Sequence, residues 1–281
     1  MHGEVHRVEG IAVMQPIAAT AKLEALSAPL LAHLKRLTVF TNDDQGAFEA
    51  TLDTTRKIAA RSNLSHSCDH QSGVRFLQHG YAYRYMMLSD GRRQITDLFI
   101  PGDICDFRGV GRLNTDYSVH ALTAVTYFEL KRQTLDRLVA DCPALEEALS
   151  RSAILNQAML YERLISLGQR SAKERLAHFL CETFVRSRTV GLTSGLQCRF
   201  PVSQEDLADM LGLSLVHTNR SVMTLRSEGL IRLDRQLLTI VDSARLQKTA
   251  NFDARYLSLG SDDESLAFPL PVPGRALSLA A

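Results

Sequence analysis

Net charge is nearly absent from this sequence: 32 Lys and Arg stand against 31 Asp and Glu over 281 residues. That balance excludes a broad basic field as a means of holding nucleic acid. Any phosphate binding must come from placed side chains and helix N-termini. Cysteines are few and scattered, at 68, 105, 142, 181 and 198. An odd, dispersed set without a Cys-x-x-Cys pair excludes a disulfide framework and points to reduced thiols in a cytoplasm. Long apolar runs are also missing, so no membrane-spanning segment is expected. The mildly apolar stretch 11–19 is short, contains Pro16 and follows Glu4 and Glu9. It does not read as a signal peptide. Residues 1–28 carry no period and read as a disordered lead, with Met14 as a possible natural start. The length is enough for a full core and about two domains.

What is present is concentrated between Ser203 and Ile231, SQEDLADMLGLSLVHTNRSVMTLRSEGLI. Ser203 is placed to cap a helix whose Leu207, Met210 and Leu211 share one apolar face. Gly212 breaks that helix with the left-handed backbone a tight turn needs. Ser214 can cap a second helix in which Val222 and Leu225 point inward, leaving His217, Asn219, Arg220 and Arg226 outside. This is a helix-turn-helix pattern. Beyond Gly229 the period becomes strand-like. Residues 230–233, a turn at Asp234-Arg235-Gln236 and residues 237–241 read as a hairpin, which makes a winged helix. Two amphipathic helices used as plain core are the alternative. The hairpin and the polar outer face favour DNA binding. Within residues 171–247 ten Lys and Arg face eight Asp and Glu, so the local surplus is only two.

Upstream, residues 30–40 suit a short amphipathic helix, and Asn42-Asp43-Asp44 suits the cap of another running through Ile58. From about Arg61 to Lys131 short β-branched and aromatic runs (81–88, 94–100 and 119–130) alternate with turn residues. Ser89-Asp90-Gly91 is a hairpin turn between two of them. Strands at this spacing predict a barrel or jelly roll. Residues 134–139 open a helical half. Asp141 is read as an N-cap, with Pro143 in the first turn and a long helix to about Gly168. Ile154, Ala158, Tyr161 and Ile165 form one apolar stripe on it, and Leu149, Ala153, Leu160, Leu164 and Leu167 another. A helix apolar on two sides needs two partners. One can be the β domain, and the other the same helix of a second subunit; two internal core faces are the alternative. A further helix spans Ser171 to Val185. After Val241 the pattern fades, and the Pro-containing 258–281 reads as a disordered tail.

A small jelly roll, a long central helix and a C-terminal winged helix, in that order, resemble the Crp/Fnr family of bacterial transcription regulators. The segments GYAYRYMMLSDGRRQITDLFIPGDICDF (80–107) and GLSLVHTNRSVMTLRSEGLI (212–231) carry the likeness best. Residues 169–176 (QRSAKERL) are similar to that family's hinge. The expected fold class is α+β: an N-terminal β jelly roll of cyclic-nucleotide-binding type, a long dimerisation helix and a C-terminal winged helix-turn-helix. The expected division is 29–140 jelly roll, 141–169 dimerisation helix, 170–245 winged domain and 246–281 tail. The resemblance implies a homodimer with dimer-interface residues Ile154, Ala158, Tyr161 and Ile165, a palindromic double-stranded DNA operator, and contact with RNA polymerase. Two departures stand out. Members that bind cyclic AMP carry a Glu and an Arg-Ser or Arg-Thr pair after the Gly-Asp turn. Here the segment reads PGDICDFRGVGRLNTDYSVHA, with Thr115-Asp116 near the pair's place and Arg108 and Arg112 off the pattern. Asp116 would repel a phosphate. Nor are there clustered N-terminal cysteines for an iron–sulfur centre. No cofactor is therefore expected, and the barrel is an altered sensor or a scaffold. The family's Arg-Glu pair on the recognition helix is replaced by Leu215-Val216, which implies a different preferred sequence.

In this reading the 214–228 helix enters the major groove. Arg220 can bond guanine and Asn219 adenine, His217 a base or phosphate, and Leu215 and Val216 thymine methyls. Ser203, Gln204, Ser214 and Thr218 are placed for phosphate. An ion pair of Arg220 with Glu228 or Asp209, and a merely solvated His217, are the alternatives. His66, Cys68 and His70 would share a strand face as in a metal site, but a polar loop is the simpler reading. Cys181 and Cys198 flank the winged domain as redox candidates or inert buried thiols. Asp90, Asp97, Asp103, Asp106 and Asp116 read as turn formers rather than catalytic carboxylates. The competing hypotheses are an unidentified small-molecule or redox effector in the barrel, and a cupin-like enzyme with an ancillary helix-turn-helix, for which the barrel offers only His79 and His120.

Overall fold

The computed structural model describes residues 28–52, 55–65, 73–107 and 117–257. Helix α1 (28–37) buries Leu30, Leu34 and Leu37. Helix α2 (Asn42–Glu49) begins at a capping box: the Thr41 hydroxyl accepts from Asp44 N at 3.1 Å, and the Asp44 carboxylate accepts from Thr41 N at 2.9 Å. The helix predicted to run through Ile58 stops at Glu49. Ile58 instead ends strand β1 (Thr55–Ile58), whose partner β8 (Val125–Lys131) supplies a ladder that outweighs local propensity.

The remaining strands of this half are β2 (Asn63–Ser65), β3 (Gly73–His79), β4 (Ala82–Met87), β5 (Arg93–Phe99), β6 (Ile104–Asp106) and β7 (Ser118–Ala121). They form two four-stranded antiparallel sheets, β1-β8-β3-β6 and β2-β7-β4-β5. The expected β4–β5 hairpin turns at Asp90, whose carboxylate accepts from Arg92 N at 3.0 Å. The run expected over 119–130 is divided into β7 and β8. Leu64, Leu77, Ala82, Phe99, Cys105, Val119, Ala121, Val125 and Tyr127, drawn from both sheets, fill the space between them. Ion pairs run beside that apolar filling: Arg75 to Asp106 at 3.2 Å and to Glu129 at 3.1 Å, and Arg84 to Asp97 at 3.1 Å. Asp97 and Asp106 are therefore buried strand residues held by arginine, not turn formers. Asp103 does act in a turn, accepting from Ile100 N.

Helix α3 (Arg132–Asp141) leads into α4 (Pro143–Gln169). Asp141 closes α3 and caps nothing. Cys142 is the N-cap of α4, without a side-chain capping bond (its thiol donates to Asp44 instead, at 3.2 Å), and Pro143 opens the helix where its missing N–H is harmless. One face of α4 packs inward through Leu145, Ala148, Leu149, Leu155 and Met159. Of the second predicted stripe only Leu149 is buried, because the inner arc follows 145, 148/149, 152, 155 and 159. Helix α5 (Ala172–Thr189) starts from a Ser171–Glu174 capping box and is buried along most of its length.

Ion pairs tie α5 to its surroundings. Arg186 donates to Asp103 at 2.6 Å and to Leu98 O at 3.0 Å in the β half. Glu182, fully buried, accepts from Arg163 of α4 at 2.7 Å and from Tyr256 at 2.8 Å. Tyr256 belongs to a segment where the sequence pattern had faded. There the chain forms helix α8 (Ser243–Ala250), capped by Asp242, and a 3-10 turn over Ala254–Leu257. Both lie on α5.

Two histidines sit inside this packing. His178 stacks on Tyr256 with ring centroids 5.9 Å apart. Burial first of all pushes it down to about 4; Glu182 opposes this, and Arg170 and Arg163 add to it. Its Nε2 lies 3.4 Å from Glu162, yet a side chain only 1% exposed is too desolvated for that carboxylate to hold it charged. His33 is pushed down to about 3, by burial and then by Arg36 and Arg186. Unfolded imidazole titrates near ~6.5. The unfolded chain thus takes up these protons first, and the stability due to neutral histidines is complete above that pH and lost as pH falls toward 4. Each histidine contributes a slope of up to about 1.4 kcal/mol per pH unit in this window. Urea titrations between pH 7 and 5 should show stability falling with pH, and His178→Phe should flatten the slope by about half. A slope unchanged in that variant contradicts the assignment.

Candidate nucleic-acid interface

Helix α6 (Gln204–Leu211), a turn and helix α7 (Leu215–Ser227) form the helix-turn-helix. The Ser203 hydroxyl accepts from Asp206 N at 3.1 Å and donates to the Asp206 carboxylate at 2.6 Å. Gly212 ends α6 at φ 61°, a left-handed backbone that favours glycine; the Leu167 methyl that an added Cβ would meet at 2.8 Å ends a flexible side chain and can move aside. Ser214 caps α7, accepting from His217 N at 3.3 Å. Leu207, Met210, Leu211, Val222 and Leu225 pack inside as predicted.

The outer face of α7 carries Leu215 (44% exposed), Val216 (68%), His217, Asn219 and Arg220. Neither carboxylate that might have neutralised Arg220 is available: Asp209 pairs with Arg93 and Glu228 with Lys173. His217 Nδ1 lies 3.1 Å from the Ser214 hydroxyl. Among the phosphate candidates, Gln204 and Ser214 are exposed. Ser203 is half-buried with its hydroxyl committed to the cap. Thr218 is a correction: it is fully buried, on the inward arc with Ser221, Val222 and Leu225, so it cannot reach a phosphate. Met223, 59% exposed, also lies on the outer face, one turn beyond Asn219. Its spacing of seven from Val216 was the signal that would have found it.

The wing is a hairpin of β11 (Ile231–Asp234) and β12 (Leu237–Ile240). Its two-residue turn places Arg235 at φ 45° and Gln236 at φ 67°, the left-handed pair that suits a tight hairpin. Strands β9 (Thr193–Ser194) and β10 (Gln197–Arg199) extend it to a four-stranded sheet, β11-β12-β10-β9. At two and three residues, both are too short to show a strand pattern in the sequence.

On α4, Ile154, Tyr161 and Ile165 are 55%, 56% and 46% exposed, and Ala158 is half-buried. Leu164 (64%) and Leu167 (38%), assigned by sequence to the other stripe, join the same open face. Five large apolar side chains along one helix form a surface that the described residues leave open.

The other candidates are placed differently. Cys181 and Cys198 are buried, and burial pushes both thiols up, Cys198 to about 12, so they stay protonated. His79 is exposed. His120 stacks on Tyr83 and bonds Asn63 Oδ1 at 2.7 Å, so the two do not converge inside the barrel. Among the described residues no three His, Cys, Asp or Glu side chains are grouped to hold a metal ion, and no helix is long and apolar enough to cross a membrane. His66, Cys68, His70, Arg108, Arg112, Thr115 and Asp116 lie outside the described residues.

A Crp-like helix-turn-helix domain matches residues 174–249. The nitrogen fixation regulation protein FixK of Bradyrhizobium diazoefficiens is 31% identical over 167 residues, covering 59% of this chain and 69% of the relative. FixK of Rhizobium meliloti is 29% identical, over 72% of this chain and 87% of its own. The solved structure of FixK2 from Bradyrhizobium japonicum superposes with a TM-score of 0.61 at 23% identity, covering 74% of this chain and 98% of that one. The shared order of β domain, long helix and winged helix is thus a likeness of fold as well as of sequence.

Proposed function

The chain is a DNA-binding transcription regulator of the Crp/Fnr family, and from that premise we propose that it acts as a homodimer on a palindromic operator. Two α4 helices pair through Ile154, Ala158, Tyr161 and Ile165, with Leu164 and Leu167 beside them. The pairing presents two α7 helices to successive major grooves. Arg220 bonds guanine and Asn219 adenine. Leu215 and Val216 meet thymine methyls, and His217 meets a base or phosphate. Gln204 and Ser214 hold the backbone, and RNA polymerase is the partner recruited there. The reading fits a cytoplasmic protein.

One observation carries this: Arg220 stands exposed on α7 with both nearby carboxylates already engaged elsewhere. A guanidinium held on a helix with no side-chain partner among the described residues is ready for a bidentate acceptor. The direct test is a gel shift against genomic fragments with excess non-specific competitor. Retention of a discrete fragment set is expected. Loss of every fragment to competitor contradicts sequence-specific binding.

A further inference from the structure

Between the β half and the helix-turn-helix lies a polar contact. Asp206 and Asp209 stand three residues apart on one side of α6. Arg93, at the start of β5, spans them: Nη2 lies 2.9 Å from the Asp206 carboxylate and 2.6 Å from that of Asp209, and Nε donates to Asp209 at 2.7 Å. Next to it Gln94 Nε2 donates to Asp209 O at 2.7 Å. Arg61, in the β1–β2 turn, approaches Asp206 at 3.4 Å. The guanidinium of Arg93 also donates to the Tyr83 hydroxyl and lies 5.1 Å over that ring, and Tyr83 is held by Tyr85 and His120. The arginine therefore has an aromatic backstop on one side and two carboxylates on the other.

We propose that Arg93 is a positioning residue: its bridge to Asp206 and Asp209 latches α6 to the β half, so that the barrel fixes where the recognition helix points. This deepens the operator-binding reading above and rests on it. Three features support a latch rather than an incidental surface pair. Asp206 is only 2% exposed, so its charge needs a partner. The contact is polydentate, which fixes direction as well as distance. And α6 carries the turn at Gly212 that aims α7, so a rotation of α6 moves the recognition helix with it. With the latch open, the winged unit samples orientations that do not match the half-site spacing, and apparent affinity falls by the fraction still aligned.

The test uses the full-length chain with Arg93→Glu, Asp209→Arg and the double variant that reverses the pair, together with the milder Arg93→Gln. Two quantities are read: amide exchange over 204–211 by mass spectrometry, and operator affinity as a function of salt. Each single variant should speed α6 exchange and weaken operator binding about tenfold, as expected if the aligned fraction drops to roughly one in ten. The slope of log affinity on log salt should stay unchanged, and the double variant should recover part of both losses, because it restores the 93–209 pair while Asp206 is left facing a carboxylate at position 93. Unchanged α6 exchange in the single variants overturns the latch. A salt slope smaller by about one overturns it too, making Arg93 a phosphate contact. Tighter operator binding on opening the contact overturns it by making the contact inhibitory. Exchange is measured without DNA, so it decides the latch even if the operator-binding reading fails.

Discussion

Replacing Ile154 and Ile165 together by Glu should leave a folded monomer that no longer finds its operator. Both side chains are about half exposed in the single chain. The substitutions therefore cost little within one subunit, and circular dichroism and unfolding midpoint should stay close to wild type. Across a helix pair, however, they would set four carboxylates into an apolar seam, where like charges repel and burial of each is costly. Sedimentation at micromolar concentration should show a single chain. Operator affinity should drop toward the non-specific level, a loss of roughly 10³-fold or more for a specific DNA-binding dimer. A double variant that remains dimeric would place the interface elsewhere.

Arg220→Ala carries the second large effect. A bidentate guanine contact discriminates by about 1–3 kcal/mol, and a dimer loses it twice, so about 2–6 kcal/mol in all. Operator affinity should therefore fall at least about 30-fold, with specificity relaxed at one base pair of each half-site. Thr218→Ala provides the contrast. Thr218 is buried, with its hydroxyl unpartnered, so removing it should leave the DNA preference unchanged. Competition against single-base operator variants reads both. An Arg220→Ala protein with wild-type affinity and preference refutes the base contact.

Much of this site could be read from residues because its signals are local. Ser203, Gly212 and Ser214 mark helix ends at fixed offsets, and each does so in the structure. The polarity of Thr218 suggests exposure, whereas its angular position, shared with Ser221, Val222 and Leu225, turns it inward. Helix α8 was missed because SARLQKTA has few apolar residues; the capping Asp242 was the available cue. The hidden features are non-local. Arg93 and Asp206 are 113 residues apart and Arg186 and Asp103 are 83 apart, and no periodicity relates such pairs. Asp97 and Asp106 looked like turn residues because their arginine partners lie on neighbouring strands.

The central claim is that two copies of α7, fixed by paired α4 helices, read two half-sites of one duplex. Selection of binding sites from a random duplex pool, followed by a count of chains per selected duplex, tests it most directly. The account predicts an inverted repeat with half-site centres about 10 base pairs, one helical turn, apart and two chains bound per site. An unenriched pool, or a single asymmetric site bound by one chain, contradicts it.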